Sequence, residues 1–360
     1  MRRRGPSRPE IALLIVSLGV ALALGELLLR GIAAWTRPAR LADLAASRPL
    51  PAPGTAVDLG DLLEPSRFER LVYRLRPDLD VFFSGVRVRT NSDGWRDPET
   101  PLAVGPGTAR VVGIGDSVMF GWGVAREDRY LTRAARELSS RDPLVAWATA
   151  TLAVPGYNLV MELEALERFG LPLEPDLIVY GYVANDRCLP NFVTEGAGAR
   201  LHLLDLLRNV GLPSPALRSR DAAVQPAELG AGFVRRFCRA ESVAPPLRPL
   251  VGDASFRAAL DRLAEIGRAL DTPIVVVSHP MRSELPLPDF PSGLLVVDAF
   301  GEPGATAPAP PPRRFWVAET DRHPNAEGHA QVARRLIDAL IEGGVVDRVH
   351  DRVQARRDGA

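Results

Sequence analysis

Five short apolar runs recur through the middle and end of the chain, and between most of them lie stretches with helical spacing. The runs are Arg110–Ile114, Leu144–Ala148, Leu177–Val183, Pro273–Ser278 and Leu294–Val297. They are too short for helices, are bounded by Gly, Pro, Asn or Asp, and predict strands. Tyr130–Leu138, Asn158–Phe169, Ala259–Leu270 and Ala330–Ile341 predict helices; in the second, Leu159, Leu163, Leu166 and Phe169 share one face. Strands that are apolar throughout, alternating with helices, mean a parallel sheet covered on both sides, an α/β fold.

The chain before this rhythm reads differently. Arg2, Arg3, Arg4 and Arg8 precede an apolar run that begins at Ile11 and continues to Trp35, interrupted by Glu26 and Arg30. As a helix, residues 11–35 would span about 37 Å, enough for a hydrocarbon core of about 30 Å. The basic flank favours an inside N-terminus, which puts the remainder outside the cytoplasm. A cleavable signal peptide is the alternative, with a small-residue site near Ala33–Ala34. Residues 1–35 are thus expected to be a membrane anchor and 36–85 a linker and membrane-proximal collar, proline-rich and tether-like over 36–66. From Leu71 to Arg96 the pattern changes to short β-like pieces, with Val86, Val88 and Thr90 alternating with Arg87 and Arg89 and a turn at Asn91-Ser-Asp-Gly94. Residues 86–348 are expected to form the main α/β domain, with an insertion at about 190–250 that breaks the βα rhythm, and 349–360 a C-terminal tail.

Charge narrows the partners. In 360 residues Lys+Arg and Asp+Glu balance at 44 each, so no basic surface for nucleic acid is expected. The two cysteines, Cys188 and Cys238, have no metal-ligand spacing, and neither a metal nor an organic cofactor is implied. In an exported domain the pair can form a disulfide; two separate buried thiols is the other reading.

Ligands of open parallel sheets bind beyond the C-terminal ends of the strands, so the loops there hold the candidate chemistry. After the first strand comes Gly115-Asp116-Ser117-Val118-Met119-Phe120-Gly121. A hydroxyl here lies in a loop that glycine lets approach a substrate closely, with its own N–H available to an oxyanion. The dinucleotide fingerprint would need glycine at Val118, a Walker loop lacks its Gly-Lys pair, and the GxSxG elbow would need glycine at Met119. After the second strand Gly156 offers another N–H, with Asn158 as helix cap. After the third, Asn185 is either an oxyanion donor or an Asx turn. Near the C-terminus, Asp321 and His323 precede Pro324 and Asn325, and a carboxylate beside an imidazole makes it a competent base. Among the five histidines His329 is the rival base, although its place inside a helix fits packing better.

In this order the Ser loop, Gly156, Asn185 and Asp321/His323 resemble the SGNH/GDSL hydrolase superfamily over roughly residues 86–345. The Asn91-Ser-Asp-Gly-Trp-Arg96 segment and the N-terminal run are similar to bacterial membrane-bound members. The resemblance implies a flavodoxin-like three-layer sandwich preceded by one transmembrane helix. It implies Ser117 as nucleophile, His323 as base and Asp321 as its partner. Ser117 N–H, Gly156 N–H and the Asn185 side chain form the oxyanion hole, supported by Gly115 and Asp116. The implied activity is hydrolysis of O-acyl esters, such as acetyl groups on an extracytoplasmic glycan. An O-acyltransferase and a non-catalytic glycan-binding module are the alternatives. The chain departs from the pattern twice: Val183 stands where the family has glycine two residues before Asn185, and Asp321 precedes His323 by two positions rather than three, Glu319 being the weaker substitute.

Overall fold

The computed structural model describes residues 17, 19–28, 49–194, 228–229, 231–279, 282–283, 285–301 and 311–359. Its centre is a five-stranded, all-parallel sheet built from β5 (Thr108–Gly115), β6 (Ala146–Ala153), β7 (Leu177–Val183), β8 (Ile274–His279) and β9 (Leu295–Asp298), in the order β9-β8-β7-β5-β6. Every residue of β7 and β8 is buried, as strands covered on both faces require. Helices α2 (Tyr130–Arg141), α5 (Ala326–Glu342) and α6 (Val345–Asp358) pack together, as do α3 (Leu159–Ala165) and α4 (Asp253–Ala269). The chain leaves β5 for β6 on one side and returns to β7 on the other. In open parallel sheets such a reversal is where ligands bind, beyond the C-terminal ends of the strands.

Three expectations are corrected. The second strand runs over Ala146–Ala153 rather than Leu144–Ala148, and Leu144 is exposed in the preceding turn. Its Ala- and Thr-rich second half is weakly apolar, and pairing with β5, from Thr108 opposite Ala146 to Gly115 opposite Ala153, sets the extent.

The described part of the expected tether, 49–66, is packed: its β1 (Leu63–Pro65) pairs with β2 (Tyr73–Leu75). The short β-like pieces expected over Leu71–Arg96 are present as β2 and as the hairpin of β3 (Asp80–Phe83) with β4 (Val86–Arg89). Leu62, Leu71, Leu75 and Val81 are fully buried in the main core, each burial contributing about 1.5–3 kcal/mol. Tyr73 donates its hydroxyl to the Pro155 carbonyl at 3.0 Å, and Tyr157 donates to the Tyr73 carbonyl at 2.7 Å.

The expected tail from 349 is most of α6. Val345, Val349 and Val353, four apart, bury one face. Arg356 pairs with the fully buried Asp176, which also accepts the Arg110 N–H of β5 at 2.8 Å.

Cys188 and Cys238 are joined in a disulfide, resolving the choice between bridge and separate thiols. The Cys188 N–H donates to the Asn185 carbonyl at 2.7 Å, so the bridge ties the turn bearing Asn185 to helical residues Ala231–Phe237 of the insertion. Of the expected span 11–35, residues 17 and 19–28 are described and helical, and the remainder lies outside the described residues. Among the described residues no helix is long and apolar enough to cross a membrane.

Candidate active site

Ser117 opens a single-turn helix, α1 (Ser117–Phe120), directly after β5. Asp116 caps that turn, its Oδ1 accepting the Val118 N–H at 2.9 Å. The turn sits tight on the end of the sheet because residue 115 is glycine: a Cβ there would lie 2.7 Å from the Met119 Cβ. Ser117 and Asp116 are both fully buried.

His323 reaches the same place from β11 (Asp321–Pro324), a rim strand paired with β10 (Trp316–Ala318). Its Nε2 lies 2.9 Å from Ser117 Oγ and its Nδ1 2.6 Å from Asp321 Oδ1. The carboxylate can only accept, so Nδ1 carries the proton and Nε2 is left to accept from the serine hydroxyl. Side chains two apart on a strand point the same way, which explains how a two-residue spacing places Asp321 beside His323. The His323 backbone N–H also donates to Asp321 Oδ1, at 3.1 Å. Burial pushes the Asp321 carboxyl up, but its hydrogen bonds with His323, the His323 charge and the Trp122 N–H outweigh it and hold the group below the usual carboxylate value.

Gly156 and Asn185 lie on the neighbouring loops. Gly156 takes φ +83° in the turn that leads from β6 into α3, a conformation glycine adopts without penalty. Asn158 then caps α3, accepting the Met161 N–H at 3.2 Å and donating to the Cys188 and Leu250 carbonyls at 3.0 and 2.7 Å. Asn185 sits in a short 3₁₀ turn, Ala184–Arg187, beyond β7, with Nδ2 3.4 Å from Asp116 Oδ2. Val183 is extended, φ −128° and ψ 149°, so this turn needs no glycine there. The first departure from the family pattern is therefore without cost to the backbone. His329 is fully buried, and its Nδ1 accepts the Tyr130 N–H at 3.2 Å, outside the Ser117–His323–Asp321 group.

Two features escaped the sequence reading. Trp122 donates its indole N–H to Asp321 Oδ2 at 3.0 Å and stacks on the His323 ring, with centroids 4.9 Å apart and planes inclined by 11°. Its flanking glycines in the nucleophile loop were the available signal. The second is an interior acidic group. Glu162 and Asp186 are fully enclosed; burial together with the charges of Asp186 and Asp116 pushes Glu162 well up, and burial with Asp116 does the same to Asp186. Among the described residues neither oxygen of Glu162 has a hydrogen-bond partner, whereas Asp186 Oδ2 accepts from the Tyr180 hydroxyl at 2.6 Å and the Val183 N–H at 3.0 Å. Among the described residues no group of three or more His, Cys, Asp or Glu side chains could hold a metal ion.

The arrangement is that of a serine hydrolase site: a hydroxyl activated by an imidazole, and the imidazole oriented by a carboxylate. No family model and no curated protein matches the sequence. Among solved structures, the chain is similar to a lipase from a goat rumen metagenome, with 12% identity over 64% of this chain and 97% of that one and a TM-score of 0.37. A psychrotrophic esterase from Pseudoalteromonas sp. gives 11% identity, 65% and 97% coverage and a TM-score of 0.34. A catalytic mutant of an acetylxylan esterase from Geobacillus stearothermophilus gives 16%, 64% and 94%, with a TM-score of 0.35. Likeness at this level decides nothing about chemistry, which rests on the side chains.

Proposed function

We propose that this protein is a serine esterase of the SGNH/GDSL type, anchored in a membrane by its N-terminal segment and working outside the cytoplasm. The observation that carries the reading is the relay from Ser117 Oγ through His323 to Asp321, with steps of 2.9 and 2.6 Å. In the first half-reaction Ser117 attacks an ester carbonyl while His323 Nε2 takes its proton. The same nitrogen then gives the proton to the departing alkoxide, leaving an acyl-enzyme. Water, deprotonated by His323, releases the acid and restores the hydroxyl. The Ser117 and Gly156 N–H groups and the Asn185 amide are assigned to the tetrahedral oxyanion.

Two observations support the location. The described N-terminal residues 19–28 are helical and expose Val20, Leu22, Leu24, Leu27 and Leu28. The Cys188–Cys238 bridge belongs to an oxidising compartment. An O-acylated glycan of the cell envelope is the substrate class that such a site would meet.

The test is a fluorophosphonate probe together with acetyl release from p-nitrophenyl acetate. Ser117 should be labelled in the wild type. Ser117→Ala and His323→Ala should each remove turnover, by a factor on the order of 10⁶ in kcat if they act as a unit, and the double variant should be little worse than either. A wild-type protein that neither labels nor cleaves any activated ester would leave the glycan-binding module as the reading.

A further inference from the structure

We propose that Trp122 is a positioning residue of the triad: it holds Asp321 in register with His323 and ties the pair back to the segment that carries the nucleophile. The proposal rests on the serine-hydrolase reading above. Asp321 Oδ1 is used twice by His323, through the ring Nδ1 at 2.6 Å and the backbone N–H at 3.1 Å. Both contacts are local and leave the carboxylate free to swing about its own side-chain bonds. The strand beneath it gives little further hold: among the described residues β11 pairs only with the three-residue β10, and the register shifts between Trp316 and Ala318. What fixes the carboxylate plane is its second oxygen, and that oxygen accepts the Trp122 N–H from 199 positions away in the chain.

Trp122 is itself held firmly. Its backbone N–H donates to the Ser117 carbonyl at 3.1 Å. The contacts therefore close a ring: Ser117 to His323, His323 to Asp321, Asp321 to Trp122, and Trp122 back to Ser117. The buried Arg96 guanidinium clamps the same loop, donating to the carbonyls of Phe120, Gly121 and Val124 at 2.9, 2.7 and 2.8 Å. The collar adds Phe83, edge-on to the indole with centroids 4.6 Å apart. Trp122 is 2% exposed, packed into this loop. The indole face, parallel to the imidazole, blocks tilting of the ring away from Ser117 and favours the imidazolium formed during turnover. The two-residue spacing of Asp321 and His323 thus comes with its own anchor, supplied by the nucleophile loop.

The test uses the full chain and separates the N–H from the ring. Trp122 replaced by 3-benzothienylalanine keeps the shape and the aromatic face but has no N–H; Trp122→Phe is the encodable counterpart. With p-nitrophenyl acetate, either should lower kcat by about tenfold or more, the scale of one hydrogen bond to a charged group, with KM unchanged. In an Asp321→Ala background the same replacement should cost little further, because the residue it acts through is gone. Wild-type kcat in the benzothienylalanine protein overturns the proposal, as does an equal loss in the Asp321→Ala background, which would mark a general packing role. Failure of the hydrolase reading looks different: there the wild-type Ser117 does not label with fluorophosphonate at all, and both ideas go together.

Discussion

At the rim of the sheet, Asp321 is partly exposed and accepts from the His323 ring, the His323 backbone and the Trp122 indole. In the interior around Asp116, Glu162 and Asp186 are enclosed; among the described residues no cation hydrogen-bonds to either, and Glu162 has no hydrogen-bond partner. The same functional group is pushed down in the first setting and up in the second. Burial acts upward in both. Donors decide the difference: hydrogen bonds and a neighbouring imidazole stabilise the ionised form, while neighbouring carboxylates destabilise it. The comparison teaches that an ionised partner for the base needs built donors, and that a carboxylate merely near the nucleophile does not supply one.

The strongest way to break the comparison is to remove the ionised group at the rim. Asp321→Asn should lower kcat by about 10²–10⁴, because the amide can present its N–H₂ to Nδ1 and trap the wrong imidazole tautomer. Steady-state kinetics on an activated ester checks it. A change under threefold would mean that Asp321 is not the partner of His323, and Glu319 would become the candidate.

Asn185 stands between the two regions, its Nδ2 3.4 Å from Asp116 Oδ2. Asn185→Ala should lower kcat by about 10²–10³, the usual effect of losing one oxyanion donor. Its KM should be nearly unchanged, since the donor acts on charge that develops only in the transition state. A loss confined to KM would assign Asn185 to ground-state binding.

The smallest effect concerns stability and sharpens the interior side. The native pKa of Glu162 lies above its ordinary value of 4.5. Its contribution to stability is therefore complete below that value and is lost as pH rises through the native one. Glu162→Gln removes the titration, so the variant should gain on the wild type above pH 4.5, and more so as pH rises. The gain should vanish in more acid solution. Denaturant unfolding at pH 4 and pH 8 measures it, and an equal difference at both would show that the carboxyl is not held neutral.

Much of the fold was legible because apolar runs bounded by turn residues are local signals. Leu177–Val183 is the third strand with the boundaries its sequence predicts, and Asn158 and Asn325 cap the helices they precede. Segments with mixed composition were harder. Residues 49–66 carry prolines and charges and read as a tether, yet Leu63–Pro65 pairs with Tyr73–Leu75. The strands after Leu71 were legible, but not that Tyr73 and Phe83 would pack against the glycine loop and Trp122. Helix α6 has a narrow apolar stripe of three valines among charges, and it docks because Asp176 at the base of the sheet awaits Arg356.

By itself the sequence determined the order of the Ser, Gly, Asn and Asp–His blocks, each at the end of a predictable element. It left the partner of His323 between Asp321 and Glu319, and the extended strand Asp321–Pro324, where residues two apart share a face, decided for Asp321. Tertiary structure alone decided that Ser117 and His323 meet across 206 positions and that Trp122 takes the free oxygen of Asp321. It also decided that Asp116, Glu162 and Asp186 share one enclosed interior. Contacts between segments so far apart leave no periodicity in the chain. They follow from the strand order that brings β5, β6 and β7 side by side, and from the collar that closes on their loops.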